Sequence, residues 1–287
     1  MWPVGTTLGH YVLGIAGLGL LREWWSQDDE AEARRERLLE LAAAASGGDE
    51  LLALELETPE LDVVEGYTAW APSYDGPNPL IEVDDAVCGP RLAELAEAFP
   101  GGRALDAGCG TGRKARQLVE LGLDVIGCDV TPAMLDLART LIPGAEFREG
   151  GFEALPIEDG SVDLAVSSLA VCHLSELDGA FREFARVMRP GAVLQISDPH
   201  PTLTLLGGQA FFQAEGRMPF VRNQGRPIAE YFAAATAAGL RVTRLEEVPM
   251  TQAVIDANPV GQLYPDIANA GLSDLPWLLV LEAEKPS

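Results

Sequence analysis

The chain has 287 residues, 47% of them hydrophobic, and a formal net charge of −24 at pH 7. This length and apolar content suffice for one well-packed catalytic domain with a smaller helical addition. So acidic a surface repels phosphate backbones and anionic bilayers, which excludes nucleic acid and membrane partners from our expectation. The cysteines show no paired spacing, so we expect no metal, no disulfide framework and a reducing, cytoplasmic location; they are Cys88, Cys109, Cys128 and Cys172.

Residues 1–64 predict an N-terminal helical extension. The stretch 8–25 is apolar around its whole circumference, which favours a helix buried in a core or between two protomers. Charged residues stop this stretch short of the ~20 apolar residues that a membrane span needs. The stretch 28–45 is rich in Glu and Arg and predicts a charged amphipathic helix. A homo-oligomer through these helices therefore stays open, and His10 is expected to be structural.

Residues 65–287 predict an α/β domain. Residues 59–90 contain many proline and glycine residues and predict turns, followed by a helix over about 91–99. Short β-branched runs then alternate with helical stretches, which is typical of a Rossmann-like, doubly wound, mostly parallel seven-stranded sheet. A cover insert over about 199–226 and a proline-containing insert over 249–276 interrupt the pattern. The predicted strands are 104–107, 125–128, 145–148, 164–167, 193–197, 241–248 and 277–284, and a helix is predicted at 228–238.

The most informative segment is the run 103–112, Arg-Ala-Leu-Asp-Ala-Gly-Cys-Gly-Thr-Gly. It predicts a strand that ends in a glycine turn before a helix. Gly108, Gly110 and Gly112 allow the backbone to turn sharply and to approach a ligand without a Cβ in the way. Asp129 ends the next predicted strand, where its carboxylate can accept hydrogen bonds from a ribose. The pattern predicts a nucleoside-binding site.

Two details indicate which nucleoside is bound. In a dinucleotide fingerprint two residues separate the second glycine from the third, but Arg113 occupies the third position here and the glycine comes one residue earlier, at Gly112. Asp106, at the end of the first strand, would repel a pyrophosphate but suits a ligand that carries an ammonium and a sulfonium group. S-adenosylmethionine carries both. A nucleotide-dependent oxidoreductase is therefore disfavoured, although it stays open as an alternative.

With these motifs the chain resembles the class I SAM-dependent methyltransferases, in which Asp-x-Gly-x-Gly-x-Gly cradles the amino acid end of the cofactor and a later acidic residue holds the ribose. The resemblance covers about 65–249 and is strongest over 103–194. It includes the segments 150–156 and 160–166, which in the family form the adenine pocket and the fourth strand. The segment 185–194 resembles the family's helix end, Pro-Gly turn and fifth strand.

The resemblance also implies which residues bind the cofactor. Gly151 departs from the family, because relatives usually carry an Asp or Asn there that receives the adenine amino group. We expect the Phe152 ring to cover the adenine instead, and its backbone N–H to contact it. Glu153 and Ser167 fall on the edge where the predicted strands end. The expected cofactor-binding residues are Tyr74, Asp106, Gly108, Gly110, Gly112, Asp129, Val130, Phe152, Glu153 and Ser167.

Aromatic residues precede the first helix and recur in the cover insert. Tyr67 and the pair Tyr74-Asp75 resemble a segment that folds over the bound cofactor in many small-molecule methyltransferases. Tyr74 then either contacts the methionine moiety or packs its ring against the domain. The other aromatic residues line an apolar acceptor pocket or belong to the core; they are Trp70, Phe211, Phe212 and Phe220.

Methyl transfer needs little from side chains, because the sulfonium already activates the methyl group. Holding the acceptor in line at ~3 to 3.5 Å can remove roughly 7 to 11 kcal/mol from the barrier, and a general base helps where the acceptor is a hydroxyl or a weakly acidic carbon. His200 is the first candidate for this base, with Asp198 raising its basicity and fixing its tautomer; alternatively its ring braces the loop. His173 is the second candidate, and packing or a role beside the cofactor is its alternative.

The resemblance implies a methyltransferase that uses S-adenosylmethionine and acts at O, C or N of a small molecule. The pattern looks most like the quinone-biosynthesis and natural-product group. We expect a soluble, cytoplasmic protein. A protein of the same fold that binds S-adenosylmethionine without transferring methyl, as a cyclase or an interaction module, remains the main alternative because a fold does not dictate its chemistry.

Overall fold

The computed structural model describes residues 7–23, 29–46 and 57–287. The predicted helices 8–25 and 28–45 include residues 24, 25 and 28, which lie outside these ranges. The chain divides into two compact units, of which the first comprises Met1–Glu60, Glu215–Pro219 and Pro249–Pro276, and the second Leu61–Ala214, Phe220–Val248 and Trp277–Ser287.

The described elements run in the following order along the chain. The helices are α1 (Leu8–Glu23), α2 (Asp29–Ser46), α3 (Val63–Trp70), α4 (Pro79–Ala96), α5 (Arg113–Glu120), α6 (Pro132–Leu141), α7 (Asp178–Val187), α8 (Pro201–Leu205), α9 (Ile228–Ala237), α10 (Gln252–Ala257), α11 (Pro259–Leu263) and α12 (Pro265–Leu272). The strands are β1 (Glu60–Leu61), β2 (Arg103–Ala107), β3 (Asp124–Asp129), β4 (Glu146–Glu149), β5 (Val162–Ser168), β6 (Met188–Pro199), β7 (Ala210–Phe211), β8 (Phe220–Val221), β9 (Arg241–Pro249) and β10 (Pro276–Glu284). Two 3₁₀ turns lie at Ala71–Ser73 and Val171–His173.

A seven-stranded sheet in the order β4-β3-β2-β5-β6-β10-β9 forms the centre of the second unit. Strands β4, β3, β2, β5 and β6 pair in parallel, whereas β10 runs antiparallel to β6. This order reverses direction beside β2, so the carboxyl ends of β2 and β5 open a crevice between them, where ligands of such sheets bind. The predicted Rossmann-like α/β fold with a mostly parallel sheet is confirmed.

Helices cover both faces of this sheet because successive strand residues point to opposite sides. Leu105 of β2 joins a core with Phe181 and Phe184 of α7 on one face. Its neighbour Ala104 joins a second core with Leu118 of α5 on the other face. The strands are therefore apolar along nearly their whole length, as expected of a parallel sheet that is buried on both sides.

The region predicted to form turns, 59–90, contains helices α3 and most of α4 instead. Asn78 caps α4, because its side-chain oxygen accepts hydrogen bonds from the N–H groups of Leu80 at 3.0 Å and Ile81 at 3.4 Å. Pro79 occupies the first turn, where its missing N–H and fixed φ favour a helix start. The helix predicted at 91–99 thus begins at residue 79, since the prolines that suggested turns include one at a helix start.

The first unit consists mainly of helices α1, α2, α10, α11 and α12. Val12, Ile15 and Ala16 of α1 are buried. A Cβ built on Gly271 of α12 would lie 2.6 Å from the Ile15 carbonyl oxygen, so only glycine permits this close approach of α12 to α1. Leu21, near the end of α1, is 70% exposed, so the predicted burial does not extend around the whole helix. No helix among residues 7–23, 29–46 and 57–287 is long and apolar enough to cross a bilayer.

Candidate active site

The glycine loop follows β2 and leads directly into α5. Gly108, Gly110 and Gly112 all have positive φ, at +69°, +53° and +89°. A Cβ would lie 2.5 Å from the Ala170 Cβ at the first of these positions and 2.2 Å from the Ile142 Cδ1 at the last, which no side chain tolerates. A Cβ on Gly110 would lie 3.8 Å from its nearest neighbour, Cε1 of Tyr74. A methyl-sized group therefore fits beside the middle of the loop, in van der Waals contact with the Tyr74 ring.

Asp129 at the end of β3 holds this loop in place. Its Oδ2 accepts a hydrogen bond from the Gly110 N–H at 2.9 Å, and its Oδ1 accepts one from the Thr131 N–H at 2.8 Å. Burial raises the pKa of Asp129. Each carboxylate oxygen can accept more than one hydrogen bond, so the carboxylate retains capacity for a ligand hydroxyl.

Asp106 lies beneath the loop rather than beside it. It is 1% exposed, and its Oδ2 accepts a hydrogen bond from the Ala115 N–H at 2.8 Å. The N-cap position of α5 is Gly112, which has no side chain, so Asp106 caps the first turn of this helix from the neighbouring strand. Burial raises the pKa of Asp106 to about 7.

Val130, Gly151 and Phe152 lie close to one another beyond β3 and β4. A Cβ on Gly151 would lie 3.2 Å from the Val130 Cγ1, so even alanine is tight where the family carries Asp or Asn. The Phe152 ring packs edge-to-face on Phe184 with 6.0 Å between ring centroids, and it lies 3.0 Å from the position of a Cβ on Gly108. The ring thus belongs to the packing under the glycine loop.

Among residues 57–287, no hydrogen bond joins the side chain of Glu153 or Ser167 to the glycine loop. The Glu153 side chain is exposed and lies against Gly179 at the start of α7, where it lines a shallow surface groove. Ser167 is fully buried, and its hydroxyl has no partner in the described part of the chain. The next residue, Ser168, reaches Arg113 at 2.6 Å instead. Because side chains alternate along a strand, a shift of one residue decides which serine faces the site.

The segment Tyr74-Asp75 is tied to the glycine loop. The Thr111 hydroxyl donates a hydrogen bond to Asp75 Oδ1 at 2.7 Å. Further rings adjoin Tyr74: Trp70 packs edge-to-face on it at 5.1 Å between centroids and stacks on Phe212 at 5.1 Å with 8° between ring planes. We call Tyr67, Trp70, Tyr74, His173 and Phe212 the aromatic cluster. Phe211 and Phe220 form a separate pair with centroids 5.5 Å apart.

His173 and Tyr67 form a hydrogen-bonded pair within the aromatic cluster. His173 Nδ1 lies 2.8 Å from the Arg222 carbonyl oxygen and Nε2 lies 2.7 Å from the Tyr67 hydroxyl. Because a carbonyl only accepts, Nδ1 carries the proton, and Nε2 accepts the hydrogen bond from Tyr67. Burial lowers the pKa of His173 and raises that of Tyr67 well above its usual value. The pair is therefore neutral, with the tyrosine as donor.

His200 has neither the partner nor the access expected of a base. Its Nδ1 accepts a hydrogen bond from the Thr202 N–H at 3.1 Å, and its Nε2 donates to Glu247 Oε1 at 2.9 Å. The residue is 3% exposed, and burial lowers its pKa. Both ring nitrogens are thus engaged in capping α8 and holding Glu247. This geometry agrees with the alternative in which His200 braces the loop.

The prediction that Asp198 orients His200 is wrong. Asp198 Oδ2 accepts a hydrogen bond from the Tyr231 hydroxyl at 2.8 Å, and Oδ1 accepts one from the Cys172 N–H at 3.2 Å. The carboxyl is fully buried, which raises its pKa to about 7. Strand β6 ends at Pro199, so the chain turns into α8 before His200 can share a face with Asp198.

Sequence reasoning missed a buried ionic cluster beneath the site. Asp84 of α4 is 0% exposed and accepts hydrogen bonds from Arg113 at 2.7 Å, from Ser168 at 2.8 Å and from Ser197. Lys114, itself 2% exposed, lies 2.9 Å from the same carboxylate. Although burial alone would raise the pKa of Asp84, the Lys114 and Arg113 cations hold it well below its usual range. The available signal was the Arg-Lys pair in the first turn after the glycine motif, which requires carboxylate partners if it is buried.

Comparison with known proteins finds relatives over the segment that contains this site. Residues 105–196, which contain the glycine loop, Asp129 and strands β3 to β5, match the profile of the methyltransferase domain family. A malonyl-[acyl-carrier protein] O-methyltransferase of Serratia marcescens is 37% identical over 135 residues, covering 47% of this chain and 51% of the relative. A demethylmenaquinone methyltransferase of Chlorobaculum parvum is 32% identical over 135 residues, covering 45% and 56%. The chain thus spans about half the length of these curated relatives.

Solved structures share the fold. An S-adenosylmethionine-dependent methyltransferase of Mesorhizobium loti aligns with a TM-score of 0.50 at 26% identity, over 67% of this chain and 95% of that one. The [4+2]-cyclase SpnF aligns with a TM-score of 0.54 at 19% identity, over 80% of this chain and 99% of that one, which shows the fold alone.

Fold and site together define a Rossmann-like domain with a glycine loop and the Asp129 carboxylate at the ends of β2 and β3. Residues 105–196 carry the match to the methyltransferase domain family, and the relatives and solved structures support a class I SAM-dependent methyltransferase domain, a class whose methyl donor is S-adenosylmethionine.

Proposed function

We propose that this chain transfers a methyl group from S-adenosylmethionine to a small-molecule acceptor in the cytoplasm. The observation that carries the proposal is the glycine loop fixed to Asp129 through the Gly110 N–H at 2.9 Å. The relative named for demethylmenaquinone supports a quinone-like small-molecule acceptor, and the relative named for malonyl-[acyl-carrier protein] supports O-methylation of an acyl group. The net charge of −24 supports an acceptor other than nucleic acid.

The residues present fit the donor. Gly110 leaves backbone space beside Tyr74 for the amino acid end, and the Asp129 carboxylate has remaining capacity for ribose hydroxyls. Val130 and the Phe152 N–H would hold the adenine, because Gly151 has no side chain to receive the adenine amino group and Val130 lies close to it. When bound, S-adenosylmethionine supplies a methyl group that its sulfonium has already activated.

Tyr67 and His173 can remove a proton from the acceptor. Tyr67 donates its hydroxyl proton to His173 Nε2 at 2.7 Å, so the Tyr67 oxygen can accept a proton from an acceptor hydroxyl as its own proton moves to the imidazole. The Arg222 carbonyl holds the Nδ1 proton and stabilises the imidazolium that results. Trp70 and Phe212, stacked at 5.1 Å, keep water away from this pair.

The function is tested with methyl-labelled S-adenosylmethionine. The protein is incubated with the labelled donor and a metabolite extract, and mass spectrometry follows both S-adenosylhomocysteine and labelled small molecules. We expect a labelled product whose formation stops in Asp129→Ala. Binding of the donor without any S-adenosylhomocysteine would instead support the non-transferring alternative, which the cyclase of the same fold illustrates.

Replacing Tyr67 by Phe tests the proton relay. With a hydroxyl acceptor found in the labelling experiment, we expect kcat to fall about 100-fold, within the range of general base catalysis. The affinity for S-adenosylhomocysteine should stay unchanged in calorimetry, since the ring and its packing on Trp70 are retained. A matched control is Tyr231→Phe, which also removes a buried hydroxyl, but one that serves Asp198. Equal kcat in Tyr67→Phe and wild type would exclude the relay.

The pKa of Asp106 predicts how donor binding depends on pH. Burial raises this pKa to about 7, above the unfolded value of about 3.9. The protonated carboxyl therefore stabilises the ligand-free fold. This contribution to the free energy of unfolding is complete below the unfolded pKa and is lost as pH rises through the folded pKa of about 7. A cationic ligand favours the ionised form. We expect the Kd for S-adenosylmethionine to fall about tenfold between roughly pH 6 and 8.

Asp106→Asn is the matched variant for this pH dependence, because its amide oxygen can still accept the hydrogen bond from Ala115. Calorimetry across the same pH range should then give a much flatter profile. The interpretation fails if wild type and variant show the same change of Kd with pH.

A further inference from the structure

Arg226 is a buried cation for which the described part of the chain offers no ion-pair partner. It is 5% exposed, and its Nη2 donates a hydrogen bond to the Leu174 carbonyl oxygen. Among residues 7–23, 29–46 and 57–287, its Nε and Nη1 have no hydrogen-bond partner and no carboxylate forms a salt bridge with it. Asn223, also 5% exposed, has an Oδ1 that is unpartnered within the same residues. Buried polar groups in folded proteins are nearly always satisfied, so these donors require an explanation.

Arg226 lies beside the aromatic cluster. The segment that carries it runs along the 3₁₀ turn after β5, because the Arg222 carbonyl accepts from His173 Nδ1 at 2.8 Å and the Gln224 N–H donates to the Cys172 carbonyl at 2.7 Å. Arg226 itself donates a hydrogen bond to the carbonyl oxygen of Leu174, at the end of the same turn. The guanidinium thus adjoins Leu174, the residue that follows His173 of the aromatic cluster.

The Asp198 carboxylate does not form an ion pair with Arg226. The Arg226 cation influences the Asp198 carboxyl electrostatically, but Asp198 accepts its hydrogen bonds from Tyr231 at 2.8 Å and from Cys172 at 3.2 Å. A guanidinium removed from water without a paired anion is costly, and a charge-assisted hydrogen bond to an anionic ligand offsets that cost.

We propose that Arg226 binds a carboxylate of the methyl acceptor, so that the acceptor is an apolar small molecule bearing one carboxylate. This inference rests on the proposed function, since it assigns the substrate of that site. One guanidinium matches one negative charge. A phosphate would need a second cation, and the buried Arg113 and Lys114 are already paired with Asp84 and Asp85. Trp70 and Phe212 supply the apolar wall for the rest of the acceptor.

The experiment compares benzoate with benzamide, its neutral counterpart of the same shape, on protein saturated with S-adenosylhomocysteine. Calorimetry should show benzoate binding at least about tenfold more tightly to wild type, because only the carboxylate gains from a charge-assisted hydrogen bond. Arg226→Gln should abolish this preference, and Arg226→Lys should keep part of it. Arg241→Gln, which removes an exposed arginine paired with Glu284, is the control and should retain the full preference.

The result is independent of turnover. Equal affinity of wild type for benzoate and benzamide, or no binding of either, would overturn the assignment of Arg226, and so would an unchanged preference in Arg226→Gln. If Arg226→Gln does not fold, the wild-type comparison and Arg226→Lys still decide. Absence of methyl transfer in the labelling experiment would refute the proposed function while leaving a measured benzoate preference intact, so the two failures are distinguishable.

Discussion

Replacing Asp129 by Ala should raise the Kd for S-adenosylmethionine about 100-fold or more. The variant removes the acceptor for the ribose hydroxyls, and it also releases the N–H groups of Gly110 and Thr131, which the carboxylate holds at 2.9 and 2.8 Å. Hydrogen bonds to a charged group contribute about 1.5 to 3 kcal/mol each, and every 1.4 kcal/mol or so changes Kd tenfold. Calorimetric titration measures the effect directly, and circular dichroism confirms that the variant is folded.

Asp124→Ala is the matched control, because Asp124 begins the strand that Asp129 ends. Its exposed carboxylate pairs with Arg103 at 3.2 Å, on the opposite edge of the sheet from the glycine loop. The Kd for S-adenosylmethionine should therefore equal that of wild type. If Asp129→Ala binds the donor as tightly as Asp124→Ala does, the assignment of the ribose site is wrong.

Replacing Asp84 by Ala should lower the free energy of unfolding by about 3 to 5 kcal/mol, the usual cost of leaving a buried charge without its partner. Asp84 is 0% exposed and contacts Arg113 at 2.7 Å and Lys114 at 2.9 Å, so the variant leaves two cations with a single exposed carboxylate. Urea unfolding followed by fluorescence gives the difference. Since the Lys114 and Arg113 cations hold the pKa of Asp84 low against its burial, its contribution is present above the unfolded pKa and is lost as pH falls through the folded one.

Asp85→Ala separates burial from charge in this cluster. Asp85 pairs with the same two cations but is 48% exposed, so its loss should cost no more than about 1 kcal/mol. Similar free energies of unfolding for the two variants would show that the cluster does not anchor α4 beneath the glycine loop. The test is therefore the difference between the free energies of unfolding of Asp84→Ala and Asp85→Ala, rather than either value alone.

Much of the sheet was predictable because parallel strands are buried on both faces. The apolar runs at β2, β3 and β5 contrast with the polar helix surfaces between them, and the glycine motif fixes where β2 ends. Helix α3 and the first part of α4 were missed because proline marks both turns and helix starts. Only the cap that Asn78 forms with Leu80 distinguishes the two at Pro79.

Partners that lie far apart in sequence could not be predicted from local spacing. His200 stands two residues from Asp198, yet its ring is held by Glu247, 47 residues away. Asp198 is likewise held by Tyr231, 33 residues further along the chain. The contact of Ser168 with Arg113 was likewise not predictable, because one residue along a strand reverses the face to which a side chain points.

The central claim is that the glycine loop and Asp129 form the binding site of S-adenosylmethionine. A crystal structure of the protein with S-adenosylhomocysteine tests it most directly. We predict that both ribose hydroxyls lie within hydrogen-bond distance of the Asp129 carboxylate, with the amino acid end beside Gly110 and Tyr74. A ligand bound elsewhere, or a ribose out of reach of Asp129, would contradict the account.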